Sequence, residues 1–238
     1  MEDWKMRTRA LLGDEGVEAL ARARVAVFGL GGVGGHAAEA LARAGVGALD
    51  LFDGDDVAAT NLNRQIVATL DTLGKGKAQA MAERCRQCAP GVQATAHRVF
   101  YLPENADEIP LGAYDYIVDA VDTVSAKIEL AVRAAAAGVP IVSAMGCGNK
   151  LDATAFRVAD LYKTDTDPLA RVMRRELKKR GVQRLKVVYS AETPRAPLAG
   201  TGEKGTAGRA APASVSFVPG VAGMILAGEV IKDLAGLR

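Results

Sequence analysis

The chain has 238 residues, enough to bury a sizeable core but short for two full domains of about 100–200 residues each, so one compact domain is expected. Hydrophobic residues at 49% and charged residues at 24% exclude collagen-like and disordered classes, and aromatics at 5% argue against a nucleic-acid reader built on stacking platforms. A formal net charge of +2 indicates neither a generally basic nor a generally acidic partner, so any charged patch is local.

In chain order, Arg24-Val-Ala-Val-Phe28 reads as a buried strand running into the glycine turn Gly29-Leu-Gly31-Gly32-Val-Gly34-Gly35, and apolar positions then recur with helical spacing to Ala44. Gly45 closes that helix, and Ala48-Leu-Asp-Leu-Phe52 is a second strand whose end carries Asp53 and Asp55. Residues 75–88 hold good helix formers and end before Pro90. Two more strands are expected at 116–121 and 140–143, separated by an alanine-rich helix over 125–137. Such alternation predicts an α/β fold, a Rossmann-like, doubly wound, mostly parallel sheet with helices on both faces. Beyond residue 150 the pattern changes. A helix over 167–180 opens with Asp167-Pro168, residues 192–212 form a long mobile loop, and 215–228 read as a terminal strand followed by a core helix. That last apolar stretch is broken by Pro219 and glycines and is shorter than the roughly 20 residues a bilayer requires, so no membrane partner is expected. Three cysteines, Cys85, Cys88 and Cys147, are too few for a disulfide framework, and the N-terminus lacks a signal-peptide core; both readings point to the cytoplasm.

A glycine turn between strand and helix aims backbone N–H groups and a helix N-terminus at a phosphate, so Gly29, Gly31, Gly32 and Gly34 suggest a nucleotide. Asp53, about twenty residues further on, stands where a carboxylate accepts ribose hydroxyls. A nicotinamide or flavin enzyme would share both features. Asn61, Asn63, Arg64 and Gln65 in one polar stretch, with Lys77 at the next helix, shift the balance toward a triphosphate, whose leaving pyrophosphate needs cationic neutralisation. Asp119 and Asp122 end the 116–121 strand, and Asp122, nearer the carboxyl end, is the better candidate for holding Mg²⁺.

Together, Gly29-Leu-Gly-Gly-Val-Gly34, Asp53-Gly-Asp55, Asn61-Leu-Asn-Arg-Gln65, Lys77 and Asp119-Ala-Val-Asp122-Thr resemble the ThiF/MoeB type of ATP-dependent adenylating enzyme. That resemblance implies ATP and Mg²⁺ as cofactors, ribose binding by Asp53, phosphate binding by Asn61, Arg64 and Lys77, and a reacting centre supported by Asp122. Asp55 and Gln65 fall within the same nucleotide-binding segments. It also implies a homodimer in which an N-terminal arginine, matched here to Arg7, crosses into the partner's site. On that reading the chain is a single adenylation domain over 1–238. Residues 1–24 are its dimer arm, 25–150 its nucleotide-binding core and 151–238 a substrate-side region.

Relatives of this type that activate sulfur carriers usually hold zinc with two Cys-x-x-Cys pairs. This chain has only Cys85-Arg-Gln-Cys88, half a tetrahedral site, so no zinc is expected. Cys147 is read as a small residue in a glycine turn. The stretches 114–123, 146–152, 158–164, 167–171, 186–190 and 214–234 are similar to one subgroup, the tRNA threonylcarbamoyladenosine dehydratases. That similarity implies ATP-dependent cyclisation of a threonylcarbamoyl side chain on tRNA, with activation of a ubiquitin-like sulfur carrier as the alternative and a sulfur-transfer partner left open. The cations Arg171, Arg174, Arg175, Lys178, Lys179 and Arg180, with Glu176 the one acid among them, are read as a tRNA-phosphate patch.

Overall fold

A computed structural model describes residues 3–200 and 211–237 of the chain. Seven strands form one sheet in the order β3-β2-β1-β4-β5-β7-β6. The central strands are β1 (Arg24–Phe28), β2 (Ala48–Phe52), β4 (Tyr116–Asp119) and β5 (Ile141–Ala144); β3 (Gln93–His97), β7 (Lys186–Ser190) and β6 (Phe156–Asp160) complete the flanks. All pairings are parallel except β6 with β7. Alternate side chains of β1 sort to opposite faces. Val25 and Val27 join Leu49, Leu51 and Val118 under α2 (Gly34–Ala44), α3 (Lys77–Cys88) and α6 (Val218–Leu234), whereas Ala26 and Phe28 join Ile117 under α4 (Val124–Ala137). A third cluster packs α5 (Pro168–Lys179) against α4 and β7 through Met173, Leu177 and Val187. Burial on both faces is why the central strands read as unbroken apolar runs. The doubly wound sheet expected from the sequence is therefore present.

Several boundaries move, each for a local reason. β4 stops at Asp119, because the Asp119 side chain accepts the Val121 N–H at 3.2 Å and turns the chain away. α3 begins at Lys77 rather than 75, since Gly76 pairs with Asp56 in an isolated bridge. α5 begins at Pro168, with the Asp167 carboxylate accepting from the Ala170 N–H at 2.9 Å as the N-cap. The expected strand near 215 does not form. β7 occupies the place beside β5, residues 211–217 run irregularly outside the sheet, and Pro219 seeds the first turn of α6. Of the loop expected over 192–212, residues 201–210 lie outside the described residues.

The N-terminal segment is helical. α1 (Met6–Arg22) is kinked at Gly13 (φ 73°), buries Val17 and Leu20, and meets α6 where Gly16 approaches Ala235. One asparagine ties together the loops that follow β5 and β7 at the carboxyl edge of the sheet. Asn149, at φ 61°, accepts the Arg195 N–H on its carbonyl and exchanges a pair of 2.8 Å bonds with the Ala213 backbone, one through its side chain. Asparagine tolerates that left-handed backbone better than most residues.

Candidate nucleotide-binding site

The polypeptide leaves β1 toward β2 and β4 toward β5, so the strand order diverges between these two neighbours and opens a crevice at their carboxyl ends. Two glycines are sterically required there. A Cβ on Gly29 (φ +83°) would lie 2.6 Å from the Ala120 carbonyl oxygen, and one on Gly34 would lie 1.8 Å from that of Gly29. The turn is thus pressed against β4's exit and feeds straight into α2, whose first N–H groups have no intrahelical acceptor. The Gly29, Leu30 and Gly35 N–H groups are already bonded to Phe52, Asp53 and Gly31, so the positive end of the α2 dipole and the remaining N–H groups of the turn are what suit an anion.

The polar segment after β2 closes over this turn. A Cβ on Gly31 would approach Gln65 Nε2 at 3.7 Å, and one on Gly32 would approach Arg64 Cγ at 3.4 Å. Gln65 is buried with its Oε1 unpartnered, an orphan acceptor beside the cradle. Arg64 is steadied by the Thr60 carbonyl at 3.0 Å and Asn63 Oδ1 at 2.8 Å, and buried Asn61 receives the Ala58 N–H at 3.1 Å to shape the short turn before it. Asp53 accepts from the N–H of Leu30, inside the glycine turn, at 2.7 Å and from that of Asp55 at 2.9 Å. Burial pushes the Asp53 carboxyl above the usual range, against the pull of Lys77 and these two amides. Lys77, itself buried, donates to Asp55 Oδ2 at 2.8 Å, so Asp53, Asp55 and Lys77 form one linked chain along the crevice wall.

Asp119 and Asp122 separate in kind. Asp119 is fully buried and held by Lys127 Nζ at 3.0 Å and Ser143 Oγ at 2.5 Å, whereas Asp122 is exposed at the lip with Thr123 Oγ1 3.4 Å away. Lys127 and Ser143 were missed by reading the sequence. The available signal was a lysine among the apolar residues of α4, five positions after Asp122. Lys150 was missed as well: its ammonium, 1% exposed, reaches the Gly146 carbonyl at 2.6 Å and Asp167 at 3.1 Å, joining the loop after β5 to the start of α5. Cys147 lies in that loop with its thiol against the Met145 carbonyl, and burial pushes it up to about 12.

Two groups of candidates stand apart from the crevice. Arg7 is exposed on α1, and among the described residues no hydrogen bond or ion pair joins it to the cluster; neighbouring Arg9 pairs with Asp3 and Asp14. On α5, Glu176 binds Arg175, Lys179 and Arg180, while Arg174 turns back to Thr164. Arg171 and Lys178 face solvent and form no ion pair among the described residues. Cys85 is in the core against the Ala38 carbonyl, with Cys88 one turn on.

A crevice at the strand divergence, a cradle that admits no Cβ at Gly29 or Gly34, an acid after the second strand and a ring of amide and cationic donors define a nucleotide-binding α/β protein of the doubly wound class. Within that class the chain belongs to the ThiF family, whose model matches residues 5–238. It is 41% identical over 236 residues to the Bacillus subtilis (strain 168) tRNA threonylcarbamoyladenosine dehydratase, covering 96% of this chain and 93% of that one. The Escherichia coli (strain K12) protein of the same name is 43% identical over 178 residues, spanning 74% of this chain and 66% of its own. Crystal structures of the E. coli enzyme in complex with ATP and with AMP each superpose with a TM-score of 0.88 at 34% identity, over 99% of this chain and 96% of theirs.

Proposed function

We propose that this chain is an ATP-dependent tRNA threonylcarbamoyladenosine dehydratase, working as a homodimer in the cytoplasm. The observation that carries the reading is the convergence of Gln65 and Arg64 on the Gly31–Gly32 turn beside the Asp53–Asp55–Lys77 chain, in a chain similar over nearly its whole length to a dehydratase solved with ATP. The orphaned Gln65 Oε1 and the glycine cradle fit a bound nucleotide. Among the described residues no helix is long and apolar enough to cross a membrane.

Roles follow from position. The glycine-turn amides and the α2 N-terminus take the phosphates, Asp53 accepts the ribose hydroxyls, and Asn61, Arg64 and Lys77 stabilise charge on the departing pyrophosphate. Asp122 would hold Mg²⁺, which when bound supplies further neutralisation of the phosphates. The threonyl carboxylate attacks the α-phosphorus, forming an acyl-adenylate and releasing pyrophosphate. The carbamoyl group of the same side chain then attacks the acyl carbon, loses a proton and displaces AMP. An internal nucleophile already has the advantage of proximity, so the enzyme needs no thiol. Arg7 reaches the partner's site, and the exposed face of α5 contacts tRNA phosphates.

The test is incubation with tRNA carrying threonylcarbamoyladenosine, ATP and Mg²⁺, followed by nucleoside mass analysis. Loss of one water with stoichiometric AMP supports the reading. Pyrophosphate exchange that appears only with a ubiquitin-like sulfur carrier replaces it with the carrier-activating alternative.

A further inference from the structure

Lys127 has a side chain with no exposed surface, and its partner Asp119 has none either. A buried ion pair of this kind is a weak source of stability, because desolvation offsets the Coulomb attraction and an apolar pair of equal volume often does as well. Its contacts point elsewhere. Lys127 Nζ donates to the carbonyl of Val121 at 3.2 Å, while Asp119 Oδ1 accepts that same residue's N–H at 3.2 Å. Both backbone polar groups of the residue before Asp122 are therefore held by this one pair of side chains. Ser143, reaching across from β5, fixes the other oxygen of Asp119, and Lys127 is itself anchored in the first turn of α4 by its N–H bond to the Thr123 carbonyl. On the opposite side, the Ala120 carbonyl is in contact with Gly29. Three consecutive residues, 120 to 122, thus leave β4 along a path with little freedom.

We propose that Lys127 is a positioning residue: with Asp119 and Ser143 it locks the turn that presents Asp122 to the phosphates and the metal ion. The proposal rests on the role assigned to Asp122 above. Lys127, with no exposed surface, acts through where a carboxylate stands. A carboxylate displaced by about 1 Å can lower turnover roughly 100-fold, and loss of support behind a metal ligand typically weakens the metal by about tenfold or more.

The experiment uses the full chain with Lys127→Met and Asp119→Asn combined, which removes both charges at nearly constant volume and leaves no lone buried ion. Expected are ATP affinity close to wild type by calorimetry, kcat for AMP formation down about 100-fold, and an Mg²⁺ half-saturation raised about tenfold. Amide exchange at Val121–Thr123 should be accelerated in the nucleotide-free protein. Ser143→Ala, a smaller perturbation, should move kcat and Mg²⁺ half-saturation in the same direction and serves if the double variant fails to fold. Unchanged kcat, Mg²⁺ dependence and exchange in a folded variant overturn the proposal. If the wild type makes no AMP with threonylcarbamoyl tRNA, the functional reading fails instead, and the exchange rates at 121–123 alone decide whether Lys127 orders the turn.

Discussion

Asp119 and Asp122 are three residues apart, yet the first is sealed in the interior with an ammonium and a hydroxyl and the second stands at the crevice lip. Their substitutions should fail differently. Asp122→Ala is expected to abolish pyrophosphate release while calorimetry still detects ATP, because the acid serves the reacting centre and not the ribose. Lys127→Met alone leaves the Asp119 charge buried without its partner and should cost about 3–5 kcal/mol of stability, read as a fall in urea midpoint. Cys147, with a thiol near 12, carries essentially no thiolate at neutral pH, so Cys147→Ser should keep full turnover; a large loss would favour a mechanism through a thioester. Asp50 offers a pH test. Burial would raise its carboxyl, but hydrogen bonds from Arg24 and His97 outweigh it and hold it below the usual value. Its contribution is therefore present above the unfolded-state pKa of about 4 and is lost as pH falls through the folded value. The stability difference between wild type and Asp50→Asn should shrink on acidification across that range. At this scale the sequence was informative wherever chemistry imposes spacing, as at Gly29, Gly34 and Asp53. Lys127 and Lys150 were hidden, because no spacing rule separates a lysine turned inward to a carboxylate from one of the many turned to water.

Among the elements, α5 is the one whose charge makes a measurable demand. Glu176 is pulled down to about 2 by Arg180, Arg175 and Lys179, so the helix's single acid occupies half of its cations. If the exposed face binds tRNA backbone, neutralising Arg171 and Lys178 should lower the slope of log affinity against log salt by about 0.7–0.9 for every phosphate that then goes unneutralised, with kcat at saturating tRNA unchanged. Glu176→Gln should tighten tRNA binding at low salt by releasing three cations. Invariance of tRNA affinity in both variants would make α5 an ordinary solvated face. The elements that the sequence disclosed are those buried on both faces, β1, β2, β4 and β5, and the helices bounded by Gly45, Gly138 and Asp167. β3, with only Ala94 buried, and the edge strand β6, with no position buried, carry too little apolar contrast to be read. The misread strand near 215 shows the limit from the other side: an apolar run fits a strand locally, and only the sheet's occupancy by β7 excludes it.

For the molecule as a whole, the alternation of strands and helices was enough to anticipate a doubly wound sheet and hence a crevice at its carboxyl edge, since handed crossovers leave few alternatives. What the chain pattern could not convey is which distant parts converge there, such as Ser143 behind Asp119 or Pro219 against Gly32. In the proposed homodimer, each site would be built from Asp122 of one chain and Arg7 of the other. Arg7→Ala and Asp122→Ala should then be inactive separately, and subunit exchange between them should restore about a quarter of wild-type turnover, since half the dimers are mixed and each mixed dimer holds one intact site. No recovery on mixing would place Arg7 outside the site.

Asn149 holds the chain at both Arg195 and Ala213. Two points eighteen positions apart in the chain are thus fastened by one clasp, a single side chain and its own peptide groups, and one residue past it the Ser214 carbonyl accepts from Asn63 Nδ2 at 3.2 Å, beside Arg64 and Gln65. Asn149→Leu, which keeps the bulk but loses the bond to the Ala213 N–H, should therefore loosen Ser214 from Asn63 and lower AMP formation, whereas Asn149→Asp, which keeps the acceptor, should not.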